Sequence, residues 1–310
     1  MSVSDDDSTG CTPPLLNLTT HQLQYLIAVS QSPTLGDAAA KLQISQSALS
    51  QGLSELERKL GLNLFERQGR NRVLTEVGKQ VVMHCERILA ATRDLTIWAD
   101  ATAEGRQGRV RLGLIDIAAV NYFPEALIEF RAQRPDVELR LSVAPSAALT
   151  RQLMAGQLDA AVIVAPAQLD HDELVLDELL TEELAIYAPR PDQTGARRLG
   201  PPDTWGPWVT FPPESHTRRH IARALRESGA EFEVEAESHQ PEVLRQMVSL
   251  GMGWTVLPVV QAEAEPNPLI RARRQPLLTR QLVIALRRGA ETEPATIELI
   301  GRLKGHAKRF

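Results

Sequence analysis

The stretch ISQSALSQGLSELERKL, Ile44 to Leu60, decides how the chain reads. It follows LGDAAAKL, Leu35 to Leu42, after a short break, and two short helices set so close read as a helix-turn-helix. Ala38, Ala39, Ala48, Leu49, Leu53, Leu56 and Leu60 supply apolar positions at helical spacing. The other side of the second helix offers Gln46, Ser47, Ser50, Gln51 and Ser54, short polar groups that donate to and accept from base edges or phosphates.

The flanks extend this pattern. Thr20 is placed to cap a first helix reaching Ser30, which Pro33 ends, and Thr34 to cap the second. After Gly61 comes LNLFERQGRNRVLT, in which Leu64 and Phe65 read as core plugs and RQGRNR as the turn of a β-wing carrying Arg67, Arg70 and Arg72. A basic hairpin beside such a helix straddles phosphates or enters the minor groove. From Leu15 to Thr75 six cations face four anions, a local positive excess in a chain whose net charge is −5.

Thr75 caps a long helix reaching about Ala103. Val77, Val81, His84, Ile88, Ala91, Leu95 and Trp98 recur at spacings 4, 3, 4, 3, 4, 3, a heptad seam. A helix with no core of its own is expected to pair with a copy of itself through this seam, and His84 is read as a plain seam residue. EGRQGR then forms a polar hinge.

From 108 onward strands and helices alternate. RVRLGLI, a helix from about Ala119 to Arg131, VELRLSVA, a helix from Ala147 and AAVIVA make a βαβαβ run, hence a parallel sheet. ELAIYAPR (a strand from about Glu183), PWVTFPPES, FEVEAES and QPEVLRQMVSLGMGWTVLPVV build a second α/β unit. RQLVIALRRG and a last helix, Ala295 to Leu303, return to the first.

The 310 residues, 43% apolar and 24% charged, suit about two soluble domains. No apolar run approaches a membrane span, and MSVSDDDSTGCTPP is no signal peptide, so a cytoplasmic protein without membrane contact is expected. Cys11 and Cys85 lack metal or CxxC spacing and read as free thiols in a reducing compartment. His216 and His220 stand four apart, a metal-compatible spacing. Arg218 and Arg219 lie between them, and an exposed basic helix face is the simpler reading. GxSxG, Walker and GxGxxG motifs are absent, so neither catalytic residues, metal nor cofactor is expected.

YLIAV (Tyr25 to Val29) with DAAAKLQISQSALSQGLSELERKLGLNLFERQGRNRVLTEVG (Asp37 to Gly78) resembles the DNA-binding domain of LysR-type transcriptional regulators. FPEALIEFRAQRPDVELRL, LDAAVI and MVSLGMGWTVLP resemble segments of that family's effector domain. The resemblance implies an α/β chain with an N-terminal winged helix-turn-helix, a long linker helix and a two-lobed effector domain of periplasmic-binding-protein type. The expected division is a disordered tail (1–17), the winged domain (18–75), a dimerising linker helix (76–104) and the effector domain (108–310). Lobe I would take 108–166 and 268–310, and lobe II 167–267. The implied partners are an operator in double-stranded DNA, a small-molecule effector, a second copy in a homodimer or homotetramer, and RNA polymerase.

The family's DNA contacts fall here on Gln46, Ser47, Ser50 and Gln51, with Arg70 and Arg72 on the wing. Gly52 departs from the family, which has a larger polar residue there. It either removes a contact or lets the backbone approach phosphate. Ligands of such sheets bind at the carboxyl ends of strands, which places Ile115, Asp116, Ser146, Val164, Thr210 and Phe211 at the effector site. Asp116 either caps the following helix or receives a positive group, as on an amine or amino acid. Ser146 and Thr210 are hydroxyl donors for a carboxylate end, or plain caps.

Overall fold

The computed structural model describes residues 16–68, 71–103, 108–166, 173–189, 201–290 and 292–310. The expected tail (all but Leu16 and Asn17), Cys11, the wing tip with Arg70 and most of the expected hinge lie outside these residues. The chain divides into two compact units at Thr92/Arg93, inside the long helix.

The first unit opens with α1 (Thr20–Ser30), α2 (Leu35–Lys41) and α3 (Gln46–Leu60). The cap of α1 is Thr19, one residue before the expected Thr20, in a capping box with Gln22. Thr34 caps α2, accepting from the Asp37 amide. Ser45 caps α3 through the Ala48 amide, and Gly61 ends α3 at φ +67°, where a side chain would be strained. Leu49, Leu53 and Leu56 are fully buried against Leu26, Ala38 and Leu64. Ala48, expected in that apolar stripe, is exposed. The wing is the antiparallel hairpin β1 (Phe65–Gln68) and β2 (Asn71–Leu74), in which Arg67 faces Arg72.

Helix α4 (Glu76–Ala103) begins with Thr75 accepting from the Gly78 amide. It has a core partner of its own, contrary to expectation. Val82, Cys85 and Leu89 are buried in the winged domain's core, and Val81 packs partly against it. The Cys85 thiol is pushed up to about 11, by burial first and then by Glu86. Val77, His84, Ile88 and Leu95 face outward on the same helix.

In the second unit β3 (Arg109–Leu114) pairs in parallel with β4 (Glu138–Val143) and β5 (Ala160–Val164). The helix expected from Ala119 is instead a π-turn, Ala118–Tyr122, and then α5 (Pro124–Gln133), which Pro124 starts afresh. Helix α6 (Ser146–Met154) joins β4 to β5. The strand expected from Glu183 is far longer: β6 runs Leu174–Tyr187. The chain continues through β7 (Trp208–Thr210), α7 (His216–Glu227), β8 (Val234–Glu237), α8 (Pro241–Ser249), β9 (Thr255–Pro258) and α9 (Val259–Ala262). It returns as β10 (Leu278–Arg287) and ends with α10 (Pro294–Ala307).

One mixed sheet runs β4-β3-β5-β10-β6-β9, with β7 and β8 paired separately in parallel. Two hydrophobic cores divide along β6 and β10. Leu174, Leu176, Leu179 and Leu180 pack on the first, with Leu282 to Leu286; Leu184 to Tyr187 pack on the second, with Leu277 and Leu278. The lobes therefore meet within these two strands, and not near 167 and 268 as expected. Leu269 and Ala272 belong to the second core. The register of β6 on β10 shifts at Leu282/Val283, beside the crossing.

Candidate nucleic-acid interface and ligand cleft

Within the winged domain, α3 presents Gln46, Ser47 and Gln51 exposed and Ser50 half-buried. Among the described residues, Ser47 alone of these four has a side-chain hydrogen bond, 3.0 Å to the Ser45 hydroxyl. The Leu49–Leu53–Leu56 stripe turns the polar row outward, free to meet a groove. Gly52 faces the other way. A Cβ there would stand 2.7 Å from Tyr25 Cδ2, so the glycine makes room for an α1 ring, and neither expected DNA role applies.

Arg72 also departs from expectation as a phosphate contact. Its Nη2 donates to Glu57 Oε2 at 2.8 Å, and its guanidinium lies 4.2 Å from the Phe65 ring centroid. Arg67, which no motif singled out as a contact, is the exposed wing cation among the described residues.

Within the second unit a cleft of about 300 Å³ opens between the two cores. Ile115, Asp116, Ser146, Val164 and Phe211 line it, as strand-end reasoning expects. Thr210 does not. It is buried in β7, and its hydroxyl has no partner among the described residues. Sequence reasoning missed Glu214, His216, Thr217, His239 and Arg280, which share the lining. His216 thus faces a cleft and not plain solvent. Burial first, then Arg219 and His220, lowers its pKa, and its Nδ1 stands 2.7 Å from Arg219 Nη2.

The polar floor is built from strands. Arg280 on β10 is the register partner of Glu182 on β6. Its Nε donates to Glu182, and its Nη1 to Thr217 Oγ1 at 2.6 Å. Tyr122 donates to the other Glu182 oxygen at 3.1 Å, and burial, then Glu182, raises the Tyr122 pKa. Arg280 is therefore already neutralised by a buried carboxylate.

Asp116 has no such partner. Its carboxylate accepts from the Ile117 amide and from Gln261 Nε2 at 3.5 Å, and no salt bridge reaches it among the described residues. Burial, the largest influence, raises its pKa; those two bonds and Arg280 oppose this. The turn that follows is capped at Ile117 with no side-chain bond, which removes the capping reading of Asp116. Ser146 Oγ accepts from the Val164 amide at 3.1 Å, leaving its proton to donate. The first turns of α6, α7 and α8 line the cleft, and none has a side-chain cap.

A winged helix-turn-helix followed by a two-lobed ligand domain defines a ligand-responsive DNA-binding regulator. The family model described as "Bacterial regulatory helix-turn-helix protein, lysR family" matches residues 20–79, and "LysR substrate binding domain" matches 103–308. The chain belongs to the LysR family of transcriptional regulators.

The chain is 28% identical over 292 residues to the transcriptional regulator CbbR of Rhodospirillum rubrum, covering 93% of this chain and 96% of that protein. It is 30% identical over 240 residues to the regulator EstR of Acinetobacter baylyi, covering 77% and 79%. The crystal structure of CbnR, a LysR family regulator, shares the fold at TM-score 0.59 and 18% identity, over 94% of this chain and 99% of that one. Relatives of this family are named as regulators of transcription and not as enzymes. No described helix is long and apolar enough to cross a membrane.

Proposed function

We propose that this regulator responds to a small amphoteric molecule, such as an amino acid or an amine with a polar acceptor. Its cationic group sits against Asp116, and its acceptor end faces Ser146 and the first turns of α6 and α8. The observation that carries this reading is the half-buried Asp116 carboxylate, which no cation pairs with among the described residues, beside an arginine that Glu182 already neutralises. A cation restores what the carboxylate lost on leaving water. Uncapped helix starts favour an anionic or carbonyl end.

In the same reading, Gln46, Ser47, Ser50 and Gln51 face the major groove, and Arg70 with Arg67 supplies phosphate contacts from the wing. The protein works on DNA in the cytoplasm as a homodimer or homotetramer joined through the outer face of α4. RNA polymerase is a further partner, a reading supported by a Synechococcus elongatus relative, 28% identical over 278 residues, that is named a probable nitrogen assimilation transcriptional activator.

Calorimetric titration of the full chain with amines, amino acids and dicarboxylates tests the ligand class. Binding of amines or amino acids that Asp116→Asn abolishes supports it. Tight binding of dicarboxylates alone rules it out. A footprint spanning two half-sites on DNA tests the assembly.

A further inference from the structure

Glu57 follows Ser54 by one turn and Ser50 by two on α3, where it is half-buried at the entry to the wing, and its two oxygens have different tasks. Oε1 accepts from the Leu64 amide at 2.9 Å and the Phe65 amide at 3.3 Å, where the chain enters the wing. Oε2 accepts from Arg72 Nη2 at 2.8 Å on the returning strand. The two side chains are only 19% and 29% exposed, so water screens this pair less than a surface one. Arg72 in turn covers Phe65, which is buried in the domain core. Arg67 and Arg72 are direct cross-strand partners, a juxtaposition of like charges that opposes hairpin closure and that the Glu57 carboxylate offsets.

We propose that Glu57 is a positioning residue for operator recognition. Through Arg72 and the Leu64–Phe65 amides it locks the hairpin to the recognition helix, and Arg72 serves DNA binding by holding the wing and not as a phosphate contact. The inference rests on the reading that α3 and the wing face DNA. A wing fixed to α3 sets the depth and angle at which the polar row enters the groove. Phosphate contacts carry no sequence information, whereas hydrogen bonds to base edges read it and are the ones a displaced helix loses.

The test uses the full chain, a duplex selected from a random pool by the protein itself, and a random duplex of equal length. Affinities for both are measured across a salt series for Glu57→Gln, Arg72→Gln and the double variant. Glu57→Gln keeps an oxygen for the two amides and removes the charge that holds Arg72. In the clasp, each single variant lowers the preference for the selected duplex by about tenfold, as one lost base contact does. The salt slope stays unchanged, and the double variant is no worse than the worse single one.

A phosphate-contacting Arg72 gives the opposite pattern. Arg72→Gln then reduces the salt slope by about 0.9 with the preference intact. Glu57→Gln, removing an anion near DNA, binds both duplexes as tightly or more tightly. That pattern overturns the proposal. If Glu57→Gln fails to fold, as thermal unfolding would show, the slope of Arg72→Gln alone decides. Gln46→Ala, measured alongside, separates the two readings. Loss of preference in Gln46→Ala but not in Glu57→Gln overturns the clasp alone; retained preference in both overturns base reading by α3 as well.

Discussion

Gly52 shows how a residue's meaning depends on what stands opposite. A glycine inside a helix costs about 0.5–1 kcal/mol relative to alanine, yet here a methyl group meets the Tyr25 ring. Overpacking of this kind costs about 1–3 kcal/mol. Gly52→Ala is therefore expected to destabilise the protein by roughly 0.5–2 kcal/mol after the helix gain. In a Tyr25→Ala background the same change stabilises it by about 0.5–1 kcal/mol. Denaturant unfolding of the four proteins checks the reversal of sign. Asp116 supplies a residue-scale test of pH dependence. Its raised pKa means that the folded protein holds the proton to higher pH than the unfolded chain. Its contribution to stability is full below the unfolded value and is lost as pH rises through the folded one. Ligand binding runs the other way, because a cation needs the carboxylate. Affinity falls as pH drops through the raised pKa, by up to about tenfold per unit, and Asp116→Asn removes the dependence of stability along with binding itself. Calorimetry and thermal unfolding over a pH series read them. The polar row of α3 and the strand-end residues Ile115, Asp116, Ser146 and Val164 were legible in the sequence, because local periodicity and strand polarity place them. Glu57 with Arg72, and Glu182 with Arg280, were not. These pairs join residues that only tertiary structure brings together, and no spacing encodes them.

At the scale of the element, α4 carries two apolar stripes on one cylinder. The heptad count found the stripe of Val77, Ile88 and Leu95 but passed over Val82, Cys85 and Leu89, which interleave with it and anchor the helix to its own domain. A seam pattern reads only the positions it was built to count. Ile88 and Leu95 are 47% and 63% exposed in the single chain, costly surface unless another chain covers it. Leu95→Glu is expected to shift the protein toward monomer by at least tenfold in dissociation constant, since one buried carboxylate per seam layer costs several kcal/mol. Sedimentation velocity measures the shift. An unchanged assembly would remove α4 as the joining surface. The strand β6 poses the converse problem. Its length was invisible because LVLDELLTEELAIY lacks alternation where it passes from one core to the other.

At the scale of the whole molecule, the βαβαβ order and the late return of the chain were read correctly, because connection rules leave few alternatives. A device joining linker helix to ligand domain was not readable. Asp94 on α4 pairs with Arg287 on β10 and stands 3.8 Å from Arg111 on β3, which also holds Asp159. Arg93 donates to the Ala155 carbonyl at the end of α6. Strands whose other ends line the cleft thus hold the helix. Asp94→Asn is expected to leave DNA affinity without ligand within about twofold and to reduce the ligand-induced change in that affinity by about 1 kcal/mol, within the usual range of coupling energies. Titration of operator DNA with and without the calorimetric ligand measures both. An undiminished ligand effect would count against the route through Asp94.

The order of the sheet also constrains how the protein is made. Strand β5, Ala160 to Val164, is buried at every residue and lies between β3 and β10. Val164 pairs with Leu282, which leaves the ribosome roughly 120 residues later. At about 5–20 residues per second, a nascent chain holds an apolar edge open for some 6–24 s before its own partner exists. For that interval AAVIV is a strand seeking a neighbour, and a second nascent chain offers the same one. Slower synthesis or chaperone depletion is therefore expected to raise the aggregated fraction of this regulator even when the finished fold is unchanged.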